Sequence, residues 1–153
     1  MHKITPFLWF NDNAEEAMHF YVSVFKNSKA GTVTRYGDAG PGPKGQAMSV
    51  TFELEGQSFM ALNGGPHFSF TPAVSLHVSC ETQEEVDELW DKLSAGGSKD
   101  RCGWLKDRFG LSWQIIPTVL GRLLADKDVG KSQRVMQAML KMDRIEIAAL
   151  QEA

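Results

Sequence analysis

At 153 residues the chain has the length of one domain and enough material to bury one substantial core. Its composition, 42% apolar and 23% charged, is that of a globular protein, and no apolar run approaches the roughly 18 residues that span a membrane. Sixteen basic against nineteen acidic side chains leave a net charge of -3, without the basic excess that phosphate backbones reward, so nucleic acid is not an expected partner.

The start, Met1-His2-Lys3, leads straight into a strand pattern over Ile4 to Phe10 instead of the basic, apolar and small-residue regions of a secretory signal, which predicts a cytoplasmic chain. Asn11-Asp12-Asn13 ends that strand. Asn13, with Glu16 three residues on, has the spacing of a helix N-cap whose side chain takes a free backbone N–H. Ala14, Met18, Tyr21 and Phe25 recur on one helical stripe, so a helix is predicted to run to about Phe25. His19 falls off that stripe, four residues from Glu15, where an exposed ion pair is expected. Thr32 to Tyr36, Met48 to Glu55 and Ser58 to Leu62 read as strands, the last two joined by a tight turn at Glu55-Gly56-Gln57. The stretch Gly37 to Gly45 is glycine-rich and contains Lys44, but it precedes a strand and carries Pro41 and Pro43. It is predicted to be a mobile hairpin loop, not a phosphate loop.

A second copy of the pattern begins at Ala73. Val74, Leu76, Val78 and Cys80 alternate with Ser75, His77 and Ser79, the period of a strand with one polar face. Thr82 and Glu85 form a capping box, Val86, Leu89, Trp90 and Leu93 give the helical stripe, and Gly96-Gly97 ends it. A shift of 69 residues lays Asn13 on Thr82, Tyr21 on Trp90 and Val24 on Leu93, which implies internal duplication. Cys102 to Asp107, a Phe109-Gly110 turn and Ser112 to Ile116 supply further strands. So little chain separates Gly97 from Cys102 that one strand of this half is expected to be missing or reduced. From Thr118 onward the chain is helical in character, with Val135, Met136, Met139 and Leu140 spaced as a buried stripe. Cys80 and Cys102 belong to no C-x-x-C pair and are expected as free thiols.

A βαβββ unit repeated in one chain resembles the vicinal oxygen chelate fold of glyoxalase I, extradiol dioxygenases and bleomycin-resistance proteins. Ile4-Thr5-Pro6-Phe7-Leu8-Trp9-Phe10, then Asn13-Ala14-Glu15-Glu16-Ala17 and Phe20-Tyr21, resemble its PhnB-like branch. Leu62-Asn63-Gly64-Gly65-Pro66 and the stretch from Cys102 to Ile115 are similar to the group labelled 3-demethylubiquinone-9 3-methyltransferase domains. The implied fold class is α+β: paired βαβββ modules, the second shortened, plus C-terminal helices. Residues 1–117 are expected as one domain of two modules, 1–66 and 73–117, with 118–153 as a helical extension. Members of this fold commonly pair two chains, so a homodimer is expected.

Metal-using members hold a divalent ion with four cavity-facing side chains. The resemblance puts Thr5 (or Pro6), Ala61, Ser75 and Gln114 at those positions, a set of weak neutral oxygens in place of imidazole, carboxylate or thiolate, so no metal and no cofactor is expected. The expected ligand-binding residues are Trp9, Asn63, Ser75, His77, Trp104 and Gln114, with Thr5, Phe7, Ala61 and Ser79 beside them. They imply an aromatic-walled cavity with a few neutral hydrogen-bonding groups, suited to a flat or apolar small molecule. Candidates for acid, base or nucleophile are His77, Glu53 and Cys102, the last near Arg101 and Lys106; none comes with an evident partner. The expected function is therefore metal-independent small-molecule binding. An enzyme of the same superfamily, of lyase, isomerase or oxygenase type, is the alternative. The methyltransferase reading ranks below both, because the first strand ends in Asn-Asp-Asn where a methyltransferase would carry a glycine-rich turn.

Overall fold

The structure is a computed structural model and describes residues 3–153; Met1 and His2, where the expected first module begins, lie outside the described residues. The chain divides into two compact units, Met1–Ser69 and Phe70–Ala153.

The first unit runs β1 (Phe7–Phe10), α1 (Ala14–Val24), β2 (Ser28–Arg35), β3 (Ala47–Leu54) and β4 (Gln57–Asn63). The sheet order is β1-β4-β3-β2, with β1 parallel to β4 and the other pairs antiparallel. Leu8 and Val50 both lie opposite Ala61, and Phe52 opposite Phe59. Since side chains alternate along a strand, these residues share one face, and all of them are buried under Ala14, Ala17, Met18 and Tyr21 of α1. The rings of Phe52 and Phe59 stack there with centroids 5.3 Å apart. Glu55 and Gly56 both take positive φ, 49° and 81°, the backbone of the two-residue turn that matches strand twist in a hairpin.

The second unit repeats the plan. It runs β5 (Ser75–Cys80), α2 (Gln83–Ser94), β6 (Ser98–Lys99), β7 (Trp104–Lys106) and β8 (Ser112–Pro117), followed by α3 (Thr118–Leu124), α4 (Val129–Leu140) and α5 (Ile147–Glu152). The sheet order β5-β8-β7-β6 is that of the first sheet, again with the first-listed pair parallel. The reduced strand is present, two residues long. Cys80, Leu105, Trp113 and Ile115 are buried on the face that α2 covers with Val86, Leu89, Trp90 and Leu93. The Thr82 half of the capping box forms as read, its hydroxyl accepting from the Glu85 N–H at 3.2 Å, while Glu85 Oε1 reaches one residue further and accepts from the Glu81 N–H at 3.1 Å.

The tail has a small core of its own, Leu120, Val135, Ile145 and Leu150. Gln83 ties it to α2: its Nε2 donates to the Ile145 carbonyl at 3.0 Å and its Oε1 accepts from the Ile147 N–H at 2.7 Å.

Several expectations need correcting. Ile4 is 86% exposed and precedes β1, because pairing with β4 begins only at Phe7. Asn13 stands at the N-cap, yet its side chain makes no capping bond; the Ala14 N–H is taken by Asn63 Oδ1 instead. Glu15 pairs with Arg35 at 3.0 Å and not with His19. β2 starts at Ser28, earlier than Thr32, since Ser28 already pairs with Leu54. Cys102 lies in no strand: it takes φ 60° in a turn, with its N–H bonded to the Met142 carbonyl. Of the α4 stripe, Val135 is buried and Met139 partly so, while Met136 and Leu140 are exposed. The stretch after Tyr36 is the hairpin loop read from its glycines and prolines, closed by the Tyr36 N–H to the Gln46 carbonyl at 2.9 Å, and a Cβ on Gly42 would fall 2.3 Å from the Tyr36 ring.

Candidate functional site

Each sheet has one face covered by its helix and one face that the helix leaves open, although in the second unit that second face carries the buried Ser112 and meets the tail core at Ile116. In the first unit, Phe7 pairs with Met60 and Trp9 with Leu62, so these four share the open face. Phe7 is 51% exposed. The Trp9 Nε1–H donates to the Gly65 carbonyl at 3.0 Å, and Phe68 meets the indole edge-on with centroids 4.9 Å apart. Glu53, on the same side of β3, forms a salt bridge with Lys29 at 3.2 Å across the strand pair. Thr5 precedes β1 and is partly buried.

Asn63 and Ala61 belong to the opposite side. Ala61 is fully buried against Leu8 and Val50, so the residues beside it on the open face are Met60 and Leu62. Asn63 spends its side chain on the fold. Oδ1 accepts from the Ala14 N–H at 2.8 Å, Nδ2 donates to the Ala47 carbonyl at 2.9 Å, and its carbonyl accepts from the Tyr36 hydroxyl at 2.8 Å. Asn63 also borders a cleft of about 270 Å³ shared with Asn11, Asp12, Tyr36 and Gln46.

The second unit brings together its share of the expected residues. His77 lies opposite Gln114, and Trp104 opposite Gln114 from the other side, so the three form one row across β5, β8 and β7. Gln114 Nε2 donates to Ser75 Oγ at 2.9 Å. His77 is exposed, and Ser75, Trp104 and Gln114 are partly buried. Cys102 does not join this row, because the turn it occupies is bonded to the tail through Met142 and Asp143.

Cys80 lies on the covered face. Burial first, then the charges of Glu85 and Glu81, push its thiol up from an ordinary 9.0 to about 12. The folded state holds this proton more tightly than the open chain, so the contribution to stability is fully present below about pH 9 and is lost as the pH climbs towards 12. Native protein at mildly alkaline pH is expected to leave Cys80 unmodified by iodoacetamide and to react only after unfolding. Peptide mass spectrometry reads the difference, and prompt alkylation of Cys80 in the native protein would contradict it.

At the positions that hold a divalent ion in metal-using members of the fold, this chain carries neutral and apolar groups. Ser75 and Gln114 bond to each other through neutral groups. In the first unit the open-face neighbours of Ala61 are a thioether and an isobutyl group. Such donors do not fit a divalent transition ion, which selects imidazole, carboxylate or thiolate. Among the described residues, no three His, Cys, Asp or Glu side chains come together as a metal set.

Sequence reading missed Tyr36, Phe68 and the work of Asp107. Asp107 is 2% exposed and accepts from the Phe109 and Leu111 N–H groups and from Trp113 Nε1. An aspartate opening a Phe-Gly turn is the signal that marks it, since Asp side chains bond backbone two residues on. Among the described residues no helix is long and apolar enough to cross a membrane.

A family model described as 3-demethylubiquinone-9 3-methyltransferase matches residues 2–116. The chain is 42% identical to the PhnB protein of Bacillus cereus, over 76% of this chain and 100% of that one, with a TM-score of 0.72. Protein PA1353 of Pseudomonas aeruginosa is 24% identical over 74% of this chain and 95% of that one, with a TM-score of 0.62. The fosfomycin resistance protein FosX of Listeria monocytogenes, complexed with Mn(II), is 18% identical over 74% of this chain and 90% of that one, with a TM-score of 0.53. The last two share the fold. Among curated proteins none matches. The methyl donor implied by the model's description is S-adenosylmethionine, which binds at a glycine-rich turn after the first strand of a doubly wound parallel sheet. β1 ends instead in Asn11-Asp12-Asn13, and both sheets are mixed, so these residues do not fit it.

Proposed function

Because this chain belongs to the 3-demethylubiquinone-9 3-methyltransferase family of domains, on the glyoxalase/bleomycin resistance fold, we propose that it is a metal-independent small-molecule-binding protein. The observation that carries this reading is the Gln114–Ser75 hydrogen bond at 2.9 Å: at two positions where related folds place metal ligands, this chain sets a neutral amide and hydroxyl. The remaining capacity of that pair, with His77 and Trp104 in the same row, orients a ligand by neutral polar contacts and one aromatic surface. Phe7 and Trp9 offer aromatic surface on the first unit. The ligand class is thus small, flat and largely apolar. Two free thiols suit a reducing compartment, and the reading places the chain in the cytoplasm, as a homodimer.

Thermal-shift measurement against quinones, aromatic antibiotics and S-adenosylmethionine tests it. At about a hundredfold excess over Kd, a bound aromatic compound raises Tm by about 5 °C. S-adenosylmethionine is expected to leave Tm unchanged. Stabilisation by S-adenosylmethionine alone would replace this reading with methyl transfer.

A further inference from the structure

We infer that Gly64 is a positioning residue: by lacking a side chain it fixes the Trp9 ring, and the aromatic wall so formed selects a planar aromatic ligand. The inference rests on the small-molecule reading above and adds the group that sets the geometry of its first-unit face.

Trp9 lies opposite Leu62 in the parallel register, and Gly64 is the next residue on the same open face. The indole lies directly across it. A Cβ built on Gly64 would stand 2.3 Å from Cζ2, 2.4 Å from Cε2 and 2.5 Å from Cη2 of Trp9, far inside any contact distance. Two further contacts hold the ring there, the Nε1–H bond to the Gly65 carbonyl at 3.0 Å and the edge of Phe68 at an interplanar angle of 81°. The backbone at Gly64 is anchored as well, its N–H donating to the Phe10 carbonyl at 2.9 Å. Its φ lies outside the left-handed region, so alanine suits the backbone, and the three atoms nearest its Cβ all belong to the indole. Relief therefore comes from rotation of Trp9, which breaks the bond to Gly65 and removes the wall.

The surroundings set the ligand class. The strip across β1 and β4 consists of Phe7, Trp9, Met60 and Leu62, with Ser58 beyond Met60 on the same face and Phe68 at the other end 65% exposed. Aromatic faces and a polarizable thioether favour a stacked π-system, and Ser49 and Thr51 of β3, opposite Leu62 and Met60, lie beside them for its polar edge.

The test uses full-length protein with 5-fluorotryptophan at its four tryptophans, the Trp9 fluorine line being assigned by its loss in Trp9→Phe. Gly64→Ala is expected to shift the Trp9 line, leave the Trp90, Trp104 and Trp113 lines in place, and weaken binding of 1,4-naphthoquinone about tenfold. An unmoved Trp9 line in Gly64→Ala, or equal naphthoquinone affinity in both proteins, would overturn the inference. Should Gly64→Ala not fold, Trp9→Phe carries the test: it lacks the Nε1–H and the ring over Gly64, the same tenfold loss is expected, and unchanged affinity overturns the claim. Naphthoquinone that stabilises the wild type without moving its Trp9 line sinks the positioning claim and leaves the small-molecule reading standing. Failure of every compound in the thermal-shift panel sinks both.

Discussion

Asp107→Asn is expected to lower the unfolding free energy by about 3 kcal/mol. Asp107 is 2% exposed and closes the β7–β8 hairpin from inside: Oδ1 accepts from the Phe109 N–H at 2.8 Å and the Leu111 N–H at 3.1 Å, and Oδ2 accepts from Trp113 Nε1 at 2.9 Å. Asparagine has nearly the same shape but replaces one acceptor with a donor. Turned either way, its amide sets N–H against N–H, at Trp113 or at the hairpin backbone, and leaves a buried donor unmet. It also forfeits the added strength of a charged acceptor. Urea denaturation followed through tryptophan emission and far-ultraviolet circular dichroism measures the loss. A change below about 1 kcal/mol would mean that water reaches this carboxylate and the hairpin is not closed by it.

Asn63→Leu is expected to cost about as much, roughly 2–4 kcal/mol, with α1 affected first. Leucine fills the space and supplies neither bond, so the Ala14 N–H and the Ala47 carbonyl both lose their partner in a residue environment only 5% exposed. Hydrogen exchange at Ala14 and neighbouring amides of α1 is expected to speed up before exchange in β3 and β4. Exchange that stays uniform, with stability unchanged, would show that α1 is capped by something else. The experiment also separates two demands on one residue, because a variant that loses stability without losing ligand affinity assigns Asn63 to the fold alone.

The fold was legible because its signals are local and periodic. The stripes Ala14-Met18-Tyr21 and Val86-Leu89-Trp90-Leu93 gave two helices whose first residues, Ala14 and Gln83, stand 69 residues apart, the shift read from the repeat. Strand alternation put Ser75, His77 and Ser79 on one face of their strand, and the register, which alternation does not encode, lays His77 opposite Gln114. What escaped the reading was register and distance. Ala61 and Met60 differ by one residue, and a period of two sends them to opposite faces, so only the pairing of Leu8 with Ala61 decides which one the helix covers. The cap of α1 comes from Asn63, 49 residues from the N–H it accepts, while Asn13, which has the local cap signal, makes no such bond. Cys102 reads as the start of a strand, but its φ of 60° and its bond to Met142 belong to the packing of the tail, which no local pattern encodes. The partial exposure of the α4 stripe has the same origin, since only Val135 and Met139 meet the tail core.

The proposed function rests on the character of the faces that the helices leave open. Ser75, Gln114, Met60 and Leu62 supply a hydroxyl, an amide, a thioether and a hydrocarbon in a fold whose relative FosX is complexed with Mn(II). Under the proposed function these faces hold no resident ion and meet a ligand through neutral contacts. Elemental analysis tests it most directly: protein purified without chelator from medium supplemented with manganese, iron, nickel and zinc is expected to carry each metal at well below one ion per chain, with the same Tm before and after dialysis against EDTA. One ion per chain that survives dialysis, or a Tm that falls when EDTA removes it, would contradict the account.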